Sequence, residues 1–402
     1  MNRTLSLRYL WWKELRQLVP LIAMLLVIGA CLHLFFALIY DQEGPSYYAW
    51  RHLMVGIALP ALFAVGAGAL IVGQEREQRT INWLRSLPIT SRDILVTKMG
   101  SGLIGLLVIW GISMAIAGVM LLLQNTTYAV VELDILPLFV HSFFLLAVGF
   151  TTAWMTRSAF ISLLSVVPLA VLPMAATITQ DFFMERSLYR VDQGLMFVIY
   201  SFLFAVGFSV WAWRQGSKVL GAETVKPSSL VSNAASSIRL AKAQPGAIYS
   251  VASKLPTLLW QFARQNTWAI VGLGLLFYTS IIGLAFMSTE PSGVVPLFGC
   301  LLATSWLGQL VFQADSVDRR HLFLANRGVP GWQVWLTRQL IPLAILASGA
   351  SLTLLLGGFF AFAMLLVPMF AVYASSQFLC QLLRSPILGA IAAPIFGFLC
   401  AI

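Results

Sequence analysis

Charge and hydrogen-bonding capacity are gathered in one stretch of this chain, Glu75–Lys98 within GQEREQRTINWLRSLPITSRDILVTK. Glu75 and Arg79 stand four apart, the spacing at which opposite charges meet on one helix face. Ile81, Leu84 and Leu87 recur at three-residue steps with Trp83 beside them, while Arg76, Arg79 and Arg85 take the other side. The chemistry open to such a stretch is docking. A short amphipathic helix lays its apolar face on a membrane surface or a partner and leaves its charges in water. Pro88 ends that helix, and Thr90 with Asp93 has capping-box spacing to start the next. The plain alternative is a charged turn between two membrane spans.

Bond-making chemistry is not indicated. The chain has no G-x-x-x-x-G-K-[ST] phosphate loop and no dinucleotide fingerprint after a strand. It has no Ser-His-Asp, His-Glu-x-x-His or paired-carboxylate arrangement in its apolar runs. His33, His52, His141 and His321 are isolated, so no zinc motif exists. Cys31, Cys300, Cys380 and Cys400 all fall in apolar runs without metal or redox spacing and read as small hydrophobes. No catalytic, cofactor-binding or metal-ligating residue is expected.

The elements that position the island are membrane spans. Of 402 residues, 59% are hydrophobic and 10% charged, with a mean hydropathy of +0.86; soluble domains carry about 25% charged residues. The net charge of +10 would suit nucleic acid, but the basic residues are spread through loops between apolar runs, where anionic lipid and membrane orientation account for them. Residues 1–17 carry Arg3, Arg8, Lys13 and Arg16 among Leu5, Leu7, Leu10, Trp11, Trp12 and Leu15, the pattern of an in-plane helix on the cytoplasmic surface. Spans follow at about 18–40, 52–73, 99–123, 136–156, 158–180 and 194–213. The first is too long for a cleavable signal peptide. Only Arg51, Arg186 and Arg190 fall on the far side, leaving 22 of the 25 Lys and Arg on the near one, which puts the N-terminus in the cytoplasm. Residues 215–256, rich in Ser, Lys and Arg, read as a cytoplasmic tether.

After the tether the pattern starts again. Trp260, Arg264 and Gln265 match Trp12, Arg16 and Gln17. Spans at about 267–287 and 294–313 lead to a second island, Asp315–Arg338, which lies on the first without gaps at an offset of 240. Glu75 meets Asp315, Arg79 meets Arg319, Trp83 meets Phe323, Leu84 meets Leu324, and Thr97-Lys98 meet Thr337-Arg338. Thr80 is replaced by Arg320, and Pro88 by Gly328 with Pro330 displaced. Residues 339–381 read as two spans joined by a tight turn near Gly357-Gly358. Arg157-Ser158 before the fifth span is echoed by Arg384-Ser385, and Pro168 by Pro394. The fold class expected is therefore an all-α polytopic membrane protein of two parallel repeats. Residues 1–214 form a first six-span unit, 215–256 the linker, and 257–402 a second unit that stops after its fifth span. Truncation is the favoured account of that stop.

The W-x-x-x-R-Q-like pattern, the E-R-E-x-x-T-I-x-W-L-x-S-L-P-I-T island between spans two and three, and Arg-Ser before span five together resemble the membrane subunit of type-two ABC exporters. The resemblance covers nearly the whole chain, twice. It implies a permease driven by a separate cytoplasmic ATPase subunit, multi-pass in the cell (inner) membrane, with ATP bound by the partner. It also implies that the islands are coupling helices: Glu75, Arg76, Arg79, Thr80, Trp83, Leu84 and Pro88 in the first, Asp315, Arg319, Phe323 and Leu324 in the second. Substrate would pass between the halves along spans one, two and five by alternating access, with Gly66 and Gly68 there for helix packing rather than substrate contact. An ion-coupled secondary transporter and a non-transporting scaffold or sensor are the alternatives. The spans are nearly free of acidic residues, which counts against ion coupling. The cargo is unidentified, with an apolar or amphipathic molecule preferred.

Overall fold

The first helix is continuous where the sequence predicts a change of direction. The computed structural model describes residues 3–39, 45–78, 80–86, 89–123, 135–184, 192–221, 251–287, 294–318, 330–383 and 385–401. In it α1 runs unbroken over Arg3–Ile39. Leu10, Glu14, Leu18, Leu21, Leu25, Gly29 and His33 are all buried at steps of three and four residues, so one stripe faces the bundle along most of its length. That stripe is why the basic segment is not a separate in-plane helix: Leu10 and Glu14 belong to the same packed surface as Leu25. The corresponding joint in the second half does bend. In α10 (Val251–Met287), Asn266 leaves helical geometry at φ −112°, ψ 15°, and its amide donates to the Phe262 carbonyl at 3.0 Å.

The other helices are α2 (Pro45–Gly68), α3 (Gln74–Glu77), α4 (Thr80–Ser86), α5 (Ser91–Leu123), α6 (Ile135–Met155), α7 (Ala159–Ala170), α8 (Leu172–Met184), α9 (Gln193–Gly221), α11 (Val294–Asp318), α12 (Gly331–Leu382) and α13 (Pro386–Ala401). A π turn, Ala69–Gly73, joins α2 to α3. No strand occurs among the described residues. Among the described residues nine stretches are long and apolar enough to cross a membrane, and Pro296–Phe312 and Ile387–Gly397 are shorter apolar helices. This is an all-α polytopic membrane protein. The tether expected at 215–256 is helical at both ends, in α9 up to Gly221 and in α10 from Val251; residues 222–250 lie outside the described ones.

Helix α12 holds two spans. The Tyr373 hydroxyl donates to Gln339 Oε1 at 2.5 Å, although a straight helix would set residues 34 apart at about 51 Å. The chain therefore reverses between Gln339 and Tyr373, the interval containing Gly357-Gly358, with its backbone helical throughout.

Among the described spans the one that contains α2, Trp50–Glu77, is the most enclosed, with 78% of its most apolar stretch buried. It packs on α1, α5, α6 and α7. Between helices in lipid the drive is close packing rather than water exclusion, and the tightest approach shows it. A Cβ on Gly68 would overlap the backbone of Gly149 in α6, and one on Gly66 would overlap Ile391 of α13. Both glycines serve packing. The halves meet where α13 touches α1, α2 and α7, and where α10 touches α7.

Candidate functional site

The π turn delivers the first island to a buried cluster of charge. All five of its residues are buried, and the Gln74 amide reaches back five residues to the Ala69 carbonyl. The Ile71 carbonyl in this turn accepts from the Lys98 ammonium at 3.1 Å. Lys98 is fully buried on α5. It also donates to Glu14 Oε1 of α1 at 2.9 Å and to Glu75 Oε2 of α3 at 2.7 Å, so its three protons meet three acceptors. Lys13, one-third exposed, donates to Glu14 at 3.2 Å and to the other oxygen of Glu75. Two lysines and two glutamates from three helices thus form a neutral group. Unpaired, any of the buried members would be far too costly to hold.

The next two residues grip helix ends. Arg76 donates to the Ala153 carbonyl at 3.1 Å and to the Trp154 carbonyl, in the last turn of α6. Glu77 accepts the Ala159 amide at 3.3 Å, at the first residue of α7. A helix C-terminus exposes carbonyls and an N-terminus exposes amides, so the cation and the anion each sit at the end whose dipole suits them. Thr156-Arg157-Ser158 is the short link between those two ends. Glu75-Arg76-Glu77 therefore ties α1, α5, α6 and α7 to one point.

The island is two short helices, not one. Ile81 and Leu84 are buried, Leu84 completely, whereas Trp83 is 59% exposed and Thr80 is exposed, its hydroxyl donating to the Glu75 carbonyl at 3.2 Å. The expected start of α5 is present: Thr90 Oγ1 accepts the Asp93 amide at 3.2 Å. Both carboxylate oxygens of Glu75 are bonded by lysines, Lys13 and Lys98, and the expected Glu75–Arg79 pairing falls on Arg79, which lies outside the described residues. Arg79, Pro88, Arg319, Phe323 and Leu324 lie outside the described residues, and Asp315 is described by its α11 backbone alone. Glu75 and Leu84 thus face inward, while Thr80 and Trp83 are exposed. Lys13, Glu14, Glu77 and Lys98 were not singled out by the sequence as site residues. The available signal was Glu14, the one acid before Asp41 in a basic, apolar stretch.

The second half keeps part of the scaffold of this site, with the buried Arg338 at the position of Lys98. Thr337 donates to the Gln333 carbonyl at 2.9 Å as Thr97 does to the Asp93 carbonyl at 2.7 Å, at the offset of 240. The counterpart of Glu14 is Phe262, which is buried. Gln339 is bonded to Tyr373 at 2.5 Å and reciprocally to Gln377 at 3.0 Å, and Ser376 donates to Ser305 at 2.9 Å: a neutral polar network.

Between the halves lies a cavity of about 1050 Å³. Its walls come from α1, α2 and α7 of the first half and α10, α11 and α13 of the second, the first, second and fifth spans of each, with Leu145 of α6. Leu59, Leu62, Val166, Leu276, Leu302 and Ile391 are typical of the lining. Trp306 stands at the junction, edge-on to Phe160 with ring centroids 6.2 Å apart and its indole bonded to the Ala390 carbonyl at 2.8 Å. Among the described residues no group of three or more His, Cys, Asp or Glu could hold a metal ion.

Residues 39–179 match the family described as ABC-2 family transporter protein. That range runs from the end of α1 into α8 and includes the whole first island. No curated protein and no solved structure matches the chain.

Proposed function

We propose that this chain, whose residues 39–179 are similar to ABC-2 family transporter proteins, is the permease subunit of an ATP-driven exporter and carries two such membrane units. ATP is bound and hydrolysed in a separate cytoplasmic subunit, and the chain itself holds no cofactor. The observation that carries the reading is the cavity, walled by corresponding spans of both halves and connected to the island through α2. On this reading the chain lies in the cell's inner membrane with its N-terminus in the cytoplasm, as the basic residues require. Thr80 and Trp83 meet the ATPase subunit, with Arg79 and Pro88, and Asp315, Arg319, Phe323 and Leu324 form the second, unequal contact.

Glu75 and Arg76 transmit rather than touch. Because Glu75-Arg76-Glu77 is bonded to α1, α5, α6 and α7, the island cannot shift alone. Closure of the partner moves α2 and α7 with it and changes which side the cavity opens to. The buried acids Glu14 and Glu75 lie outside the cavity lining and are neutralised by lysines, which favours an external energy source over ion coupling.

The test is co-expression with an ATPase encoded beside this chain. The two should copurify, the ATPase rate should rise in nanodiscs containing the chain, and Glu75→Ala with Asp315→Ala should lower that rise. Transport by the isolated chain without any ATPase, or transport abolished by a protonophore and indifferent to ATP, would overturn the proposal.

A further inference from the structure

The Trp-x-x-x-Arg pattern that opens both halves is kept where its surroundings are not. At an offset of 248, Trp12 and Arg16 of α1 meet Trp260 and Arg264 of α10, while Lys13 and Glu14 are replaced by Gln261 and Phe262. The structure puts the retained pair on the outside. Trp12 and Trp260 are each more than half exposed, and both arginines are exposed. The same face continues along each span: Val27 and Leu34 on α1 and, at the same offset, Leu275 and Ile282 on α10 are all exposed. Asn266 bends α10 just after Arg264 without breaking that register. An exposed apolar stripe along a membrane span faces hydrocarbon. From Arg16 to Leu38, also exposed, α1 rises about 33 Å, close to the roughly 30 Å of a bilayer's hydrocarbon core. Arg16 therefore stands at the headgroup boundary, and Trp12 beside it at the depth that tryptophan favours.

A guanidinium at that boundary calls for an anion. Among the described residues no acid bonds to Arg16 or Arg264. The one acid of α1, Glu14, is buried and held by Lys13 and Lys98, and α10 contains none. Arg264 lies 5.0 Å from the centre of the Trp260 ring. That contact takes one face of the planar fork and leaves its in-plane N–H donors, two of which meet a phosphate side by side. A choline or ethanolamine head would bring an ammonium that finds no acid on either face. We infer that Trp12 with Arg16, and Trp260 with Arg264, are corresponding sites for an anionic phospholipid, one on each half. The phosphate lies on the arginine and the acyl chains run along the apolar stripe beyond it.

The full chain in nanodiscs of phosphatidylcholine, without ATP or partner, tests this independently of the permease reading. A trace of phosphatidylglycerol with a photoreactive acyl chain is the probe, and phosphatidylcholine carrying the same chain is its control. Labelled peptides of α1 and α10 are quantified by mass spectrometry. Phosphatidylglycerol should label both stripes, exceeding phosphatidylcholine about fivefold. Arg16→Gln should cut phosphatidylglycerol labelling of α1 about fivefold and leave α10 unchanged. Arg264→Gln should do the reverse, so each helix is the other's control, and phosphatidylcholine labelling should not change in either variant. In the unaltered chain, salt at about 0.5 M should shrink the phosphatidylglycerol excess, a readout that stands even if a variant does not fold. Equal labelling by the two lipids, or an excess that survives salt or both substitutions, would overturn the inference. So would unlabelled stripes, which self-association of the chain would trace to a second copy covering them.

Discussion

Neutralising Glu75 should destabilise the first unit strongly, and removing Lys98 from the same chain should relieve part of that loss. The attraction between Lys98 and Glu75 at 2.7 Å is about 6 kcal/mol at an effective dielectric of about 20. Desolvation of each ion, several kcal/mol, offsets much of it. In Glu75→Gln, Lys98 keeps Glu14 at 2.9 Å and the Ile71 carbonyl at 3.1 Å, and Lys13, 34% exposed, is screened by water. The expected cost is therefore at the low end of the range for breaking a buried pair from one side, about 3 kcal/mol. Lys98→Met leaves two carboxylates with one ammonium and should cost about 3–5 kcal/mol. The double variant returns to neutrality with Lys13 facing Glu14, so its cost should fall short of the two single costs combined by about 2 kcal/mol. Unfolding of the four chains in mixed micelles by graded SDS, followed by circular dichroism, measures the cycle. Additivity within about 0.5 kcal/mol would refute the argument that these charges stabilise one another.

Three further outcomes bear on other parts of the structure. Arg76→Ala removes a charged donor from the last carbonyls of α6 and should cost about 1.5–3 kcal/mol, with faster amide exchange confined to residues near 153–162; unchanged exchange there would contradict the helix-end grip. Gly68→Ala should abolish the monodisperse gel-filtration peak, because its Cβ overlaps Gly149, whereas Gly207→Ala, which meets nothing within 4 Å, should be tolerated and gain about 0.5–1 kcal/mol. Trp83→Ala should leave stability within about 0.5 kcal/mol but lower partner ATPase stimulation, while Leu84→Asp should fail to fold; loss of stability in the tryptophan variant would put Trp83 inside rather than at a docking surface.

The spans, the island and the start of α5 were legible because they rest on local pattern. An apolar run of sufficient length has few alternatives, and Thr90 with Asp93 makes its bond within one turn. The inward direction of the island was not legible. Period and charge place Glu75 and Arg76 on a polar face, but whether that face meets water or buried lysines depends on Lys13, 62 residues away, and on Lys98. The continuity of α1 was hidden for the same reason: Glu14 reads as a surface acid until Lys98 stands opposite it. The reversal in α12 was readable from paired glycines, whereas the helical backbone through it was not. The cavity follows from the packing of spans one, two and five, an arrangement the family resemblance supplied and composition did not.

The charge cluster also imposes an order on synthesis. Lys13, Glu14 and Glu75 emerge from the ribosome before Lys98 and by themselves carry one uncompensated negative charge. Until the third span is inserted, Glu14 has only Lys13 beside it in sequence, and the first helix has no neutral site in which to settle. The opening spans of this protein are therefore not independent hairpins. They should stay loosely held, with Glu14 near the headgroups, until residue 98 closes the group. A ribosome-stalled chain ending before Lys98 should leave a cysteine placed at Leu10 open to water-soluble thiol reagents, and one carrying α5 in full should protect it.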